Sequence, residues 1–207
     1  MKFKYLLCIF LFSILRGISF CQDYVVNNLS SVDNLINESF IPLSNKLLTL
    51  GKENFYGVIL TGITQEQEYL VESLRNSFRD FNLIIGEDSD SIDYKIIFKN
   101  PVINTKYKKI FADNILGTKK VRREVTVSYG LDIIKKKDSS LVYSQNFDKK
   151  IKDNFDLDKI NSVEDNRYPF SQSILPEEST ADNFFYPAII IFTSAAAIIL
   201  FFVIRSN

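Results

Sequence analysis

Arg123–Ile134 reads REVTVSYGLDII and Leu141–Phe147 reads LVYSQNF, with the polar run KKKDSS at 135–140 between them. Val125, Val127, Tyr129, Leu131 and Ile133 alternate with polar neighbours, so they share one face of an extended strand. Period-two alternation in two runs joined by a polar turn predicts an antiparallel hairpin. One apolar sheet face needs a second layer, and the hairpin therefore fixes the fold question: what covers it.

The upstream sequence supplies the cover. In NNLSSVDNLINESFIPLSNKLLTL (27–50), Val32, Leu35, Ile36, Phe40, Leu43 and Leu47 recur at three- and four-residue steps, a helical stripe stopped by Gly51. Pro42 lies inside it and is expected to kink or divide the helix. FYGVILTGI (55–63) has the composition and length of a strand. Thr64 with Gln67 has the spacing of a capping box, and Leu70, Leu74, Phe78 and Phe81 give the following helix a buried side. NLIIGED (82–88) closes a β-α-β unit, and DYKIIFKN (93–100) reads as a third strand. The expected fold class is α+β: a β-α-β unit followed by an antiparallel hairpin sheet, with helices on one face.

Both ends of the chain read as membrane-directed. MKFKYLLCIFLFSILRGISFCQD opens with Lys2 and Lys4, runs apolar from Tyr5 to Leu15 and turns small at Gly17 and Ser19, the layout of a signal peptide over 1–21. Eleven helical residues reach only about 16 Å, short of a ~30 Å hydrocarbon core. Cleavage after Cys21 fits this pattern. Lipidation of Cys21 and a short retained anchor stay open as alternatives, the former disfavoured by Phe20 immediately before the cysteine. Phe184–Ile204 carries no charge and spans about 32 Å as a helix, which predicts a transmembrane helix over 184–204. Arg205 beyond it, with Glu177, Glu178 and Asp182 before it, places the tail 205–207 in the cytoplasm and the main domain outside. The spacer of a glycolipid-anchor signal is nearly lacking there. Thr193 and Ala197 lie four apart and offer a small-residue face for dimerisation through the span, so oligomeric state stays open.

Between these ends, 22–152 is the expected extracytoplasmic domain and 153–183, rich in Asp, Asn, Ser and Pro, the expected acidic, mostly irregular tether. The order strand, helix (LVESLRNSF), strand (NLIIGED), then IDYKIIFKN and a long hairpin with the KKKDSS turn resembles the small α/β domain of bacterial envelope proteins, the curli-secretion lipoprotein type and the N-terminal domain of TolB. The likeness covers roughly 55–147. It implies a role in building assemblies or binding partners and transfers no catalytic residue. This chain departs from that type in its poor lipidation site and its added C-terminal span.

Function classes narrow by subtraction. The chain has no His, which removes Ser-His-Asp chemistry and most zinc sites. Its two cysteines, Cys8 and Cys21, both fall in the leader. Seven glycines form no phosphate-binding loop. In EDSDSID, Glu87, Asp88, Asp90 and Asp93 alternate in a manner that suits Ca²⁺, but the run lacks the glycine and distal Glu of an EF-hand and reads better as a turn between strands. Asn28 and Asn37 begin triplets of the glycosylation type, a pattern common by chance. The expectation is a non-enzyme without cofactor.

One chemical signal stands out: charge is segregated. Residues 23–94 hold 4 basic and 12 acidic side chains, 95–152 hold 15 and 5, and 153–182 hold 2 and 8. A neutral total thus hides a basic β-region between acidic flanks. Lys106, Lys108, Lys109, Lys119, Lys120, Arg122, Arg123, Lys135, Lys136 and Lys137, expected in loops and at strand ends, are the candidate patch for an anionic partner. A solvated surface partly neutralised by the flanks is the plainer account. An extracytoplasmic patch directs attention to anionic lipid, wall polymer or an acidic envelope protein and away from nucleic acid. The expected role is a scaffold or assembly factor at the cytoplasmic membrane, with a binding module for one of those anions as the alternative.

Overall fold

The structure, a computed structural model, describes residues 25–60, 62, 64–86, 89–112, 117–177, 187–196 and 198–199. The leader 1–21, both cysteines, Glu87, Asp88, Ala197 and the tail 205–207 lie outside the described residues, as do parts of the 184–204 run.

Helix α1 (Asn28–Leu50) is capped by the Asn27 side chain, which accepts from Ser30 N. All six residues of its apolar stripe are buried. Contrary to expectation, Pro42 does not divide α1. Pro42 and Glu38, one turn earlier, both lie on the exposed side. Water can therefore serve the Glu38 carbonyl that loses its partner, while burial of the stripe holds the helix together.

Strand β1 (Phe55–Ile59), helix α2 (Gln65–Ser77) and strand β2 (Asn82–Ile85) form the β-α-β unit, with β1 and β2 parallel. Thr64 caps α2 by accepting from Gln67 N at 3.2 Å. Leu70, Leu74 and Phe78 are buried against the sheet. The chain then runs through β3 (Tyr94–Ala112), β4 (Lys119–Lys135) and β5 (Leu141–Asp156), and the sheet order is β2-β1-β3-β4-β5. β1 pairs β3 in parallel, whereas β3–β4 and β4–β5 are antiparallel. An α+β domain with a five-stranded sheet results. α1 crosses β4 and β5, where Gln145 donates to the Ser39 carbonyl and Ser39 Oγ meets the Tyr129 hydroxyl.

Three strands, β3, β4 and β5, are longer than the sequence suggests. β3, expected to end at Asn100, continues through Pro101 by a register shift between Lys99 and Val102, with Asn100 in the left-handed region at φ 47°. Bulges and edges tolerate proline. A second shift between Tyr107 and Lys109 inserts one residue, so Lys108 and Lys109 both stay exposed and Ile110 returns to the core face.

The expected tether boundary at 152/153 is corrected. β5 runs to Asp156, and residues 157–171 fold back over the sheet through helical turns at 157–163 and 169–171. Phe155, Val163 and Phe170 are buried, and Phe170 sits 5.3 Å from the Tyr69 ring. Sparse apolar residues in a polar stretch defeat a composition argument, yet three well-placed ones anchor it.

Residues 187–196 are helical with mostly exposed side chains. Among the described residues, no helix is long and apolar enough to cross a membrane.

Candidate functional site

Register divides the ten candidate cations. β4 rises about 3.3 Å per residue, so Lys119 and Lys135 stand roughly 50 Å apart at opposite ends of the sheet. The turn end carries Lys135, Lys136 and Lys137; the terminus end, where residues 25–27 enter and 171–173 leave, carries the other seven. They are not one patch.

At the turn end the two sequence candidates meet through Lys136. Lys136 Nζ donates to the Ser89 carbonyl at 2.8 Å and lies 3.5 Å from Asp90. Asp93 Oδ2 accepts from Phe55 N at 3.0 Å, so that carboxylate is engaged in holding β1. Asn54, Asp90, Asp93 and the three lysines line a hollow of about 620 Å³. Among the described residues there is no group of three or more potential metal ligands.

At the terminus end the sheet has two chemically distinct faces. The inner face is closed by Tyr107, Ile110, Val121, Phe155 and Val163, with Val25 and Ile160 packed against them. Arg123 belongs here and not to any surface patch: it is fully buried. Its Nε donates to Asp153 Oδ1 at 2.8 Å, its Nη2 pairs with Asp153 Oδ2, and Nη1 donates to the Val26 carbonyl at 2.8 Å and Asn28 Oδ1 at 2.6 Å. Asn28 Nδ2 in turn donates to the Ser171 carbonyl and the Tyr107 hydroxyl. The guanidinium therefore ties the entering chain, β4, β5 and the leaving chain into one buried polar network. Burial of Asn28 also removes it as a glycosylation acceptor; Asn37 is exposed on α1.

The outer face is open and basic. Residues opposite one another in register share a face, which places Lys106, Lys109, Lys120 and Arg122 beside Lys150 and Lys152. The bulged Lys108 joins them, 3.5 Å from Glu124. Glu124 sits at the centre, with Lys152 at 3.6 Å. Partial burial pushes the Glu124 carboxyl up, but Lys108 and Lys152 outweigh it and hold it below the usual carboxylate range. Arg122 stacks 5.5 Å from the Phe111 ring and donates to Asn154. Seven cations thus face three carboxylates: Glu124, Asp156 opposite Lys120, and Asp148 at the border beside Lys150. Towards the turn end the same face becomes mixed, with Lys99 and Asp132 paired at 2.7 Å.

Lys150 and Lys152 escape the sequence reading because the strand was ended at Phe147. A signal was available: Phe147, Ile151 and Phe155 recur at steps of four with lysines between, which continues the same alternation. Lys119 begins β4 at this end. Another groove, of about 360 Å³, lies between α1, α2 and the returning chain and is lined by Asp33, Tyr69, Glu72 and Arg167 among others. Tyr69 donates to Asp33 at 2.5 Å, and burial, reinforced by that bond, pushes its phenol up.

No family model matches the chain, and no curated protein does. A neuraminyllactose-binding hemagglutinin homolog from Helicobacter pylori superposes with a TM-score of 0.34 at 13% identity, over 49% of this chain and 66% of that one. The chain thus spans just under two thirds of that structure's length, and overlap at this level transfers no function.

Proposed function

We propose that this chain is a single-span envelope protein that holds its α+β domain outside the cytoplasmic membrane as a non-catalytic scaffold or assembly factor. The observation that carries this reading is the apolar helical stretch 187–196. Ile190, Ile191 and Phe192 are 58%, 67% and 79% exposed, a contiguous apolar surface of the kind that lipid or protein normally covers. The uncharged run 184–204 extends this stretch on both sides, and the leader and Arg205 agree on one orientation. The sequence-level resemblance to envelope assembly domains supports an assembly role. The open sheet face and surface grooves suit contact with a partner better than they suit a reaction.

A second reading, favoured by the cations around Glu124, is a binding module for anionic lipid, wall polymer or an acidic protein. Alkaline carbonate extraction of membranes carrying the full chain, followed by protease added from the outer side, tests the anchor. The expected result is a chain retained by the membrane whose domain is cut from outside. Release by carbonate, or cleavage only from the cytoplasmic side, contradicts it.

A further inference from the structure

Resting on the anchor just proposed, we infer that the basic outer face at the terminus end docks on the anionic headgroups of the chain's own membrane. Two independent observations converge there. The first is charge: Lys106, Lys108, Lys109, Lys120, Arg122, Lys150 and Lys152 lie on one open surface with Glu124 and Asp156 among them and Asp148 at its border beside Lys150. The second is where the chain enters and leaves. Arg123 holds the Val26 carbonyl, and Val25 packs into the same cluster as Tyr107, so the N-terminal side of the domain begins at this end. Ser173 Oγ accepts from Tyr107 N at 3.2 Å, so the C-terminal segment departs from this end as well.

Chain length turns that placement into an orientation. From Ser173 to Pro187 the chain extends no more than about 50 Å. The sheet itself is about 50 Å long. For the turn end to face the bilayer, the connecting segment would need to stretch along the whole domain. With the terminus end down and the sheet tilted onto its basic face, the connecting segment need not span the domain, and the lysines approach the headgroups, whose field reaches about one Debye length, about 8 Å. Each basic residue there strengthens partitioning about fivefold on an anionic surface. At the turn end Lys136 is instead met by Asp90 and the Ser89 carbonyl, and the cations there number three against seven. Wall polymer and acidic proteins share the charge, but nothing in the chain's path directs this surface toward them.

The test uses the full chain in nanodiscs of phosphatidylcholine alone or with phosphatidylglycerol, and reads amine acetylation of each lysine by mass spectrometry. Lys106, Lys108, Lys150 and Lys152 are expected to react several-fold more slowly in the anionic discs, with Lys136 and Lys137 unchanged and the protection lost at high salt. Equal reactivity in both discs overturns the inference, as does protection spread evenly to both ends. A chain that washes off the discs in carbonate overturns the anchor and this inference together; an inserted chain with unprotected lysines overturns this inference alone.

Discussion

The two ends of the sheet carry similar lysine clusters in sequence and opposite chemistry in space. At the turn end, Lys135–Lys137 share a hollow with Asp90 and Asp93, and Asp90 draws Lys136. At the terminus end, β3, β4 and β5 lay their lysines side by side on one face, and a single carboxylate, Glu124, draws two of them. A charge run says little until the register is known: antiparallel pairing gathers cations from three strands at one end, whereas a loop brings Asp90 to Lys136 at the other. Even adjacent residues differ. Arg122 lies on the open face, while Arg123 is a buried structural cation.

The largest effect is expected from alkali, and it strikes both ends. Burial pushes the phenols of Tyr56 near the turn end, Tyr129 at mid-sheet and Tyr107 at the terminus end up to about 12. Unfolded tyrosine ionises near pH 10. The unfolded chain therefore loses these protons first, so the tyrosine contribution is complete below about pH 10 and is lost as pH rises towards about 12. Circular dichroism against pH should show a cooperative loss in that window. Retained ellipticity beyond it would mean the phenols are not buried as described.

Next comes the neighbouring pair. Arg123→Ala leaves Asp153 and Asn28 without their shared partner and should cost about 3–5 kcal/mol in chemical denaturation. Arg122→Ala should cost no more than about 1 kcal/mol. Equal losses would erase the distinction between the two faces. Phe170→Ala probes the returning chain: a core residue costs about 3 kcal/mol and a tether residue almost nothing. The smallest effect belongs to Glu124→Gln, which should change stability by no more than about 1 kcal/mol while tightening association with anionic discs, seen as slower acetylation of Lys108 and Lys152. Weaker association would show that Glu124 organises the lysines and does not merely dilute them.

Most of the fold was legible. The stripe Val32 to Leu47, the Thr64 cap and the alternation Val125 to Ile133 are local patterns that a buried face imposes directly. What escaped was non-local. β3, expected to end at Asn100, continues past Pro101 through a bulge on a strand edge, and Phe155, Val163 and Phe170 look incidental until the chain returns over the sheet. The candidate site was half legible for the same reason. Lysine identity is in the sequence, but face and end depend on pairing: five of the ten candidates share the open face with Lys150 and Lys152, Lys119 lies at the same end, Arg123 is interior, and three stand at the far turn.

In the proposed orientation the terminus end faces the membrane. Energy transfer from a fluorophore at position 109 or position 137 of the full chain to an acceptor on the lipid headgroups of an anionic nanodisc measures it directly. These positions lie roughly 45 Å apart along the sheet. Strong transfer from 109 and weak transfer from 137 are expected; equal transfer from the two, or the reverse order, would overturn this orientation.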